Sequence, residues 1–334
     1  MSAAPKLSPD PSEEPAIAGR DSFPLVAIVG PTASGKSALA VALARKWNGE
    51  VLACDSTQVY RGFDIGTSKP TLQERGGVPH HLLDLVDPSF PFTAGEYRAR
   101  AVEVLEDLRQ RLRPPILTVG TGLYLRALLE GLADAPARSE QLRARLEAGA
   151  NAHSLEYLHR VLRRLDPEAA LRIGSRDRPK MIRAIEVCVL TGRPLSEVHR
   201  AGRTPLEGFH PIKIGLQPPR AALYERIERR TRTMLERGWL DEVASHIRNG
   251  VPENSKPFDF IGYSELRAHL EGTVTLAAAT KAIAQATRRY AKRQVTWFRK
   301  EPLVHWLPGF GDDPAIVTAA ERLVAGKLQS GAVA

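Results

Sequence analysis

The chain has 334 residues, 43% apolar and 25% charged, a balance that excludes disordered and fibrous classes and leaves room for two buried cores. Two cysteines, Cys54 and Cys188, exclude a disulfide framework and a four-cysteine zinc site, and point to a reducing, cytoplasmic compartment. A net charge of +9 favours a polyanionic partner, and no apolar run approaches the length needed to span a bilayer.

Residues 1–23 are rich in Pro, Ser and acid, lack a basic start followed by an apolar block, and are predicted to be a disordered tail rather than a secretory signal. From Leu25 the pattern becomes α/β. Short β-branched runs ("LVAIV", "VLAC", "PILTV") alternate with helical stretches, as a parallel sheet covered by helices requires. Ser37 to Trp47 reads as a helix. So does "TAGEYRARAVEVLEDLRQRLR", where Thr93 and Glu96 match a capping box and Pro114 and Pro115 are expected to end the helix. From residue 134 to 206 only helix and turn signals remain. Residues 138 to 203 hold fourteen Arg plus Lys against eight Asp plus Glu, a basic helical insertion. "HPIKIGL" resumes a strand, followed by helices over 221–249 and about 275–299. The predicted core is therefore 24–133 with 207–315, the insertion 134–206, and a C-terminal helix or tail 316–334.

"GPTASGKS", residues Gly30, Pro31, Thr32, Ala33, Ser34, Gly35, Lys36 and Ser37, follows a strand and opens a helix, the context of a phosphate loop. Its amides and helix N-terminus attract oxyanions, Lys36 adds a point charge, and Ser37 can ligate Mg2+. "PILTVGTGLY" lacks the strand-end Asp expected of a nucleoside triphosphatase. Asp55 instead ends the strand "VLAC", facing the same crevice, where spacing leaves two roles open: metal ligand or proton acceptor. Thr121 reads as a helix N-cap, Gln58 as a turn residue and Arg230 as part of a solvated basic face with Arg226, Arg229 and Arg232. His80 and His81 lack a third ligand at metal spacing. Cys54 reads as packing, and Trp297 and Phe298 as core anchors of the last long helix.

These segments, with "DSTQVYRGFDIGTSKPT", "PHHLLD", "GTGLYLRALLEGL", "RPKMIRAIEV", "RIERRTRTMLERG", "IGYSEL" and "RRYAKRQVTWFR", occur in family order from about residue 25 to 310, and the chain resembles the tRNA dimethylallyltransferases. It departs from many members in carrying Val119 where they have Gly, and "FDF" before the "GY" turn. The resemblance implies a phosphate-loop sheet with a helical insertion. One chain is expected to suffice to build the site, which points to a monomer. It also implies transfer of the dimethylallyl group from dimethylallyl diphosphate, with Mg2+, to the exocyclic amine of the adenosine 3′ of the anticodon, in tRNAs reading codons that begin with U. Asp55 would then be the general base, Thr121 and Arg230 the leaving-group contacts, and residues 30–37 the diphosphate cradle. The tRNA anticodon stem-loop would meet Asp55, Ser56, Thr57, Gln58, Arg143, Pro179, Lys180, Met181, Ile182, Arg183, Gly262, Tyr263, Arg288, Arg289, Lys292 and Arg293. The alternatives are a phosphate-loop small-molecule kinase, an adenylate isopentenyltransferase, and a tRNA-binding protein whose loop is only an anion site.

Overall fold

The computed structural model describes residues 22–332; the expected disordered tail lies outside them except for Ser22 and Phe23. In chain order the elements are β1 (Phe23–Val29), α1 (Lys36–Trp47), β2 (Glu50–Cys54), α2 (Leu72–Arg75), β3 (His80–His81), α3 (Ala94–Gln110), β4 (Pro115–Val119) and α4 (Gly122–Glu130). Then come α5 (Glu140–His153), α6 (Leu155–Leu165), α7 (Pro167–Arg172), α8 (Arg178–Thr191) and α9 (Leu195–Arg200). The chain continues through β5 (Phe209–Leu216), α10 (Arg220–Glu236), α11 (Trp239–Arg248), a 3-10 turn (Lys256–Asp259), α12 (Tyr263–Leu270), α13 (Leu276–Phe298), β6 (Val304–Leu307) and α14 (Pro314–Ala332).

Two compact units result: residues up to Leu125 together with those from Glu207, and Arg126–Leu206. The helical unit thus begins at Arg126 rather than at residue 134, and β1 begins at Phe23, two residues before the expected strand "LVAIV".

The first unit is built on a six-stranded parallel sheet in the order β3-β2-β4-β1-β5-β6. Leu25, Val26, Ala27, Ile28 and Val29 of β1 are all buried, because a parallel strand is covered on both faces. The order matters for the site. β4 lies between β1 and β2, with Ile28 beside Thr118 and Cys54 beside Val119, so the turns leaving all three strands emerge side by side at the carboxyl edge. Ligands of open α/β sheets bind at this edge, where the winding reverses.

Both edge strands escaped the sequence pattern. β3 is two half-buried histidines, and β6 is four residues. The long helix α3 does carry the Thr93–Glu96 capping box, but stops at Gln110, before the prolines; Leu112 takes the left-handed conformation and Pro115 opens β4 instead. The helical stretch expected over 221–249 consists of α10 and α11, separated at Gly238, whose φ is 94°. The second unit has its own core, drawn from Leu158, Leu162, Met181, Ile185 and Val198 among others.

Candidate active site

The phosphate loop turns because its residues allow it. Gly30 (φ 146°), Ala33 (φ 64°) and Gly35 (φ 90°) carry positive φ angles, and a Cβ on Gly35 would lie 2.7 Å from the Gly311 amide. Gly35 caps α1 without a side-chain hydrogen bond and the first turn holds no acid, so the helix offers its unsatisfied amides to an anion. Lys36 Nζ donates to the carbonyls of Gly30 (2.9 Å) and Pro31 (2.8 Å). Burial pulls its pKa down to about 7, opposed by the Asp55 carboxylate and reinforced by Arg230.

The loop forms one wall of a cleft of about 560 Å³. The cleft is strongly basic: Lys36, Lys69, Arg226, Arg229, Arg230 and Arg237 line it against Asp55, Asp64 and Glu74. A second cavity of about 300 Å³ adjoins it and is walled by Ile227, Trp239, Phe260, Ile283, Tyr290 and Arg293. Asp55, Thr32, Ser68, Arg230 and Met234 line both.

Asp55 therefore stands where the two spaces meet. Its Oδ1 accepts from the Thr57 amide (2.9 Å) and hydroxyl (2.8 Å). Its Oδ2 faces Gly120, where an added Cβ would lie 1.9 Å away, so only glycine admits the carboxylate here. Ser56 and Thr57 line the second cavity, and Thr118 and Gly120 the cleft. Thr121 sits at the start of α4 but does not use its hydroxyl as a cap: Oγ1 accepts from the Ser56 amide (2.9 Å) and donates to Ser56 Oγ (3.1 Å). This hydrogen bonding places it against Ser56 rather than in the cleft wall.

Arg230 reaches the loop, its Nη1 donating to Thr32 Oγ1 at 3.2 Å. Burial, then the neighbouring Arg226, lower its pKa, with Glu74 and Asp55 opposing. Arg226 also borders the cleft, but Asp312 holds it bidentately (2.7 and 2.8 Å) over the Phe310 ring. Thus Arg230 is the guanidinium directed at the loop, and the reading of Arg226 and Arg229 as a merely solvated face is corrected, since both line the cleft.

Other expectations are also corrected. Gln58 lines the cleft, but its amide donates to the carbonyls of Thr67 (3.1 Å) and Ser68 (3.2 Å), holding the cleft wall rather than an adenine edge. Tyr263 is buried, its hydroxyl on Glu242 (2.6 Å), and Gly262 (φ 96°) lies so close to Trp239 that a Cβ would clash at 1.9 Å; a buried ring cannot face a tRNA. In the second unit Met181 and Ile182 are core residues, which removes their side chains from a nucleic-acid surface. Arg143 and Arg183 both clamp Glu186, which is 0% exposed and also accepts the Ser139 amide. Burial pushes the Glu186 pKa up, but these donors outweigh it and hold it down at about 2. Pro179 and Lys180 are exposed, Lys180 pairing with Asp177.

On α13, Arg289, Lys292 and Arg293 are exposed, Arg293 lying over the Tyr290 ring. Arg288 is paired with Glu228. Phe298 is core as expected, but Trp297 is 38% exposed and packs over Gly122. Cys54 is buried packing, and His81 bonds Glu50 (2.6 Å). Sequence reasoning missed Lys69, buried and bonded to Asp64 and Asp84, and Glu242, which accepts from the amides of Asp64 (3.1 Å) and Ile65 (2.8 Å); both hold the cleft wall.

Among the described residues no group of three or more His, Cys, Asp or Glu could hold a metal ion. The exposed Ser37 hydroxyl lies in the cleft, a donor set that suits an ion arriving with phosphates rather than one caged by protein.

The IPP transferase family model matches residues 58–301, and the isopentenyl transferase model residues 23–85. The chain is 49% identical over 300 residues to a tRNA dimethylallyltransferase of Koribacter versatilis, covering 90% of this chain and 97% of the relative. It is 50% identical over 302 residues to that of Solibacter usitatus, covering 90% and 98%. Among solved structures it resembles the tRNA isopentenylpyrophosphate transferase of Bacillus halodurans (TM-score 0.69, 38% identity, 93% of this chain and 98% of that one). It also resembles a eukaryotic dimethylallyltransferase acting on tRNA (TM-score 0.79, 28% identity, 92% and 80%). A phosphate loop opposite a strand-end aspartate, and likeness along nearly the whole chain, lead to one conclusion: the chain belongs to the IPP transferase family.

Proposed function

We propose that this protein transfers the dimethylallyl group of dimethylallyl diphosphate to the exocyclic amine of the adenosine 3′ of the anticodon, in tRNAs reading codons that begin with U. The observation that carries this is the position of Asp55, on the wall shared by a basic, phosphate-loop cleft and a second, more apolar cavity.

The donor's diphosphate lies against the amides of α1, with Lys36 and Arg230 beside it. The target base leaves its stack and enters the second cavity. Its amine lone pair is delocalised into the ring, which makes it a weak nucleophile. As nitrogen attacks the first allyl carbon, the carbon–oxygen bond breaks and diphosphate departs, while the amine proton passes to Asp55 Oδ2. Thr57 holds Oδ1, so the second oxygen is turned inward. Charge grows on the departing bridging oxygen, and cations already in place there lower the barrier. Thr121 would join them by turning its hydroxyl from Ser56. When bound, Mg2+ would neutralise diphosphate charge, with Ser37 as its protein ligand. Holding both reactants in line supplies much of the acceleration.

Exposed cations on each unit suit tRNA phosphates: Arg289, Lys292 and Arg293 on α13, and Lys180 on α8. The reading takes the enzyme to act as a monomer. No helix of the described residues is long and apolar enough to cross a membrane, and tRNA as substrate supports a cytoplasmic location. A kinase reading is not favoured, because β4 runs into Gly120 without a carboxylate. The test is incubation with tRNA and labelled dimethylallyl diphosphate: label in the tRNA supports the reading, and label left wholly in the donor contradicts it.

A further inference from the structure

Gln294 lies on the buried stripe of α13 with Ala284, Ala291 and Phe298, and is 6% exposed. A primary amide on an apolar stripe must find partners for both its ends. Here they are two turns of the cleft: Oε1 accepts from the Thr32 amide in the phosphate loop at 2.7 Å, and Nε2 donates to the Gly120 carbonyl at 2.9 Å. The amide orientation follows from this pairing, since the reverse would set donor against donor and acceptor against acceptor. Tyr290, one helical turn earlier, adds a second donor to Gly120 O at 3.1 Å.

Each end of this bridge touches a reacting group's support. Thr32 receives Arg230 on its hydroxyl, and Gly120 is the residue on which Asp55 Oδ2 closes. One side chain thus sets the separation of the diphosphate cradle from the base. We propose that Gln294 is a positioning residue of the transfer reaction, fixing the phosphate loop relative to the Gly120 turn so that Arg230 and Asp55 meet the two ends of the reacting bond in line.

The inference rests on the allyl-transfer reading. Neither a hydrocarbon nor a carboxylate can replace the amide. Leucine satisfies neither turn, and glutamate serves Thr32 but opposes the Gly120 carbonyl. The experiment is steady-state transfer to tRNA by the full chain, wild type against Gln294→Leu and Gln294→Glu. Displacing reactants by about an ångström costs on the order of 100-fold in rate, so kcat of Gln294→Leu is expected to fall by roughly that factor, and of Gln294→Glu by less. The KM for tRNA should stay within roughly twofold, because neither turn is lost from the RNA-binding surface. A purely structural role would lower the yield of active enzyme without this ordered split, measured per folded molecule. The near-isosteric Glu variant keeps the test open should the Leu variant not fold. Wild-type activity with kcat unchanged in the variants, or with the loss wholly in KM, overturns the positioning role alone. A wild type that transfers nothing overturns the underlying reading and this inference with it.

Discussion

Lys36 offers a prediction in protons. In the ligand-free protein burial holds its pKa at about 7, so at pH 8 only about one Lys36 in ten carries charge. A bound diphosphate adds more opposite charge than the Asp55 carboxylate alone supplies and returns the pKa towards its ordinary value of about 10.4. At pH 8 binding should then take up roughly 0.9 proton, falling to about 0.5 at pH 7. The sign follows from which form is disfavoured: folding penalises the ammonium, the ligand restores it, and affinity therefore weakens as pH rises above about 7, by up to about tenfold per unit. Using the dimethylallyl ester at pH 8, rather than inorganic diphosphate, keeps the ligand's own proton out of the measurement, since the last pKa of a phosphate ester is about 6. Calorimetry of diphosphate binding in two buffers of different ionisation enthalpy reads the uptake directly. Uptake near zero in the wild type, or equal uptake in Lys36→Met, would refute the reasoning.

Four further outcomes are expected. Asp55→Asn should keep tRNA binding, measured by filter retention, and lose about 10²- to 10⁴-fold in transfer. Gly120→Ala, which removes no reacting group, should lower kcat by roughly 100-fold, because its Cβ must push the proton-accepting Asp55 Oδ2 away; unchanged kcat would show that the carboxylate has another place to stand. Arg230→Ala should cost about 10²- to 10³-fold in kcat and Arg226→Ala far less, since Asp312 already holds Arg226; equal losses would erase the distinction. Arg143→Ala should destabilise the protein by about 2 kcal/mol at pH 7, Arg183 remaining on Glu186. Because Glu186 is depressed to about 2, its contribution is present above the unfolded value of 4.5 and lost as pH falls towards 2, so the difference in thermal midpoint by circular dichroism should shrink over that window.

The groups legible in the sequence were those whose chemistry needs neighbours along the chain. A phosphate loop is made by one strand, one turn and one helix, so "GPTASGKS" could be read whole; Asp55 stood out as the acid ending a strand. What was hidden depends on partners far away. Gln294 meets Thr32 across 262 residues, and Glu242 meets Ile65 across 177. A signal did exist for Gln294, an amide on an otherwise apolar helical stripe, which burial obliges to be bonded. Likewise the spacing of Arg183 and Glu186, three apart on one helix, permits an ion pair, whereas the tRNA reading of Arg183 and Arg143 comes from the family resemblance. Burial of Glu186 decides otherwise, and burial is a property of the packed unit. Tyr263 was misjudged for the same reason: Trp239 and Glu242, both on α11, enclose it. The edge strands failed differently, being too short for a period of two to show.

The central claim is that Asp55 readies a base held opposite a diphosphate. Nucleoside mass spectrometry of tRNA incubated with dimethylallyl diphosphate tests it most directly, comparing wild type with Asp55→Asn at equal tRNA occupancy. The account predicts a C5H8 gain on the adenosine 3′ of the anticodon with the wild type, and little gain with the variant in the same time. A gain of equal rate in both, or none with either, would contradict it.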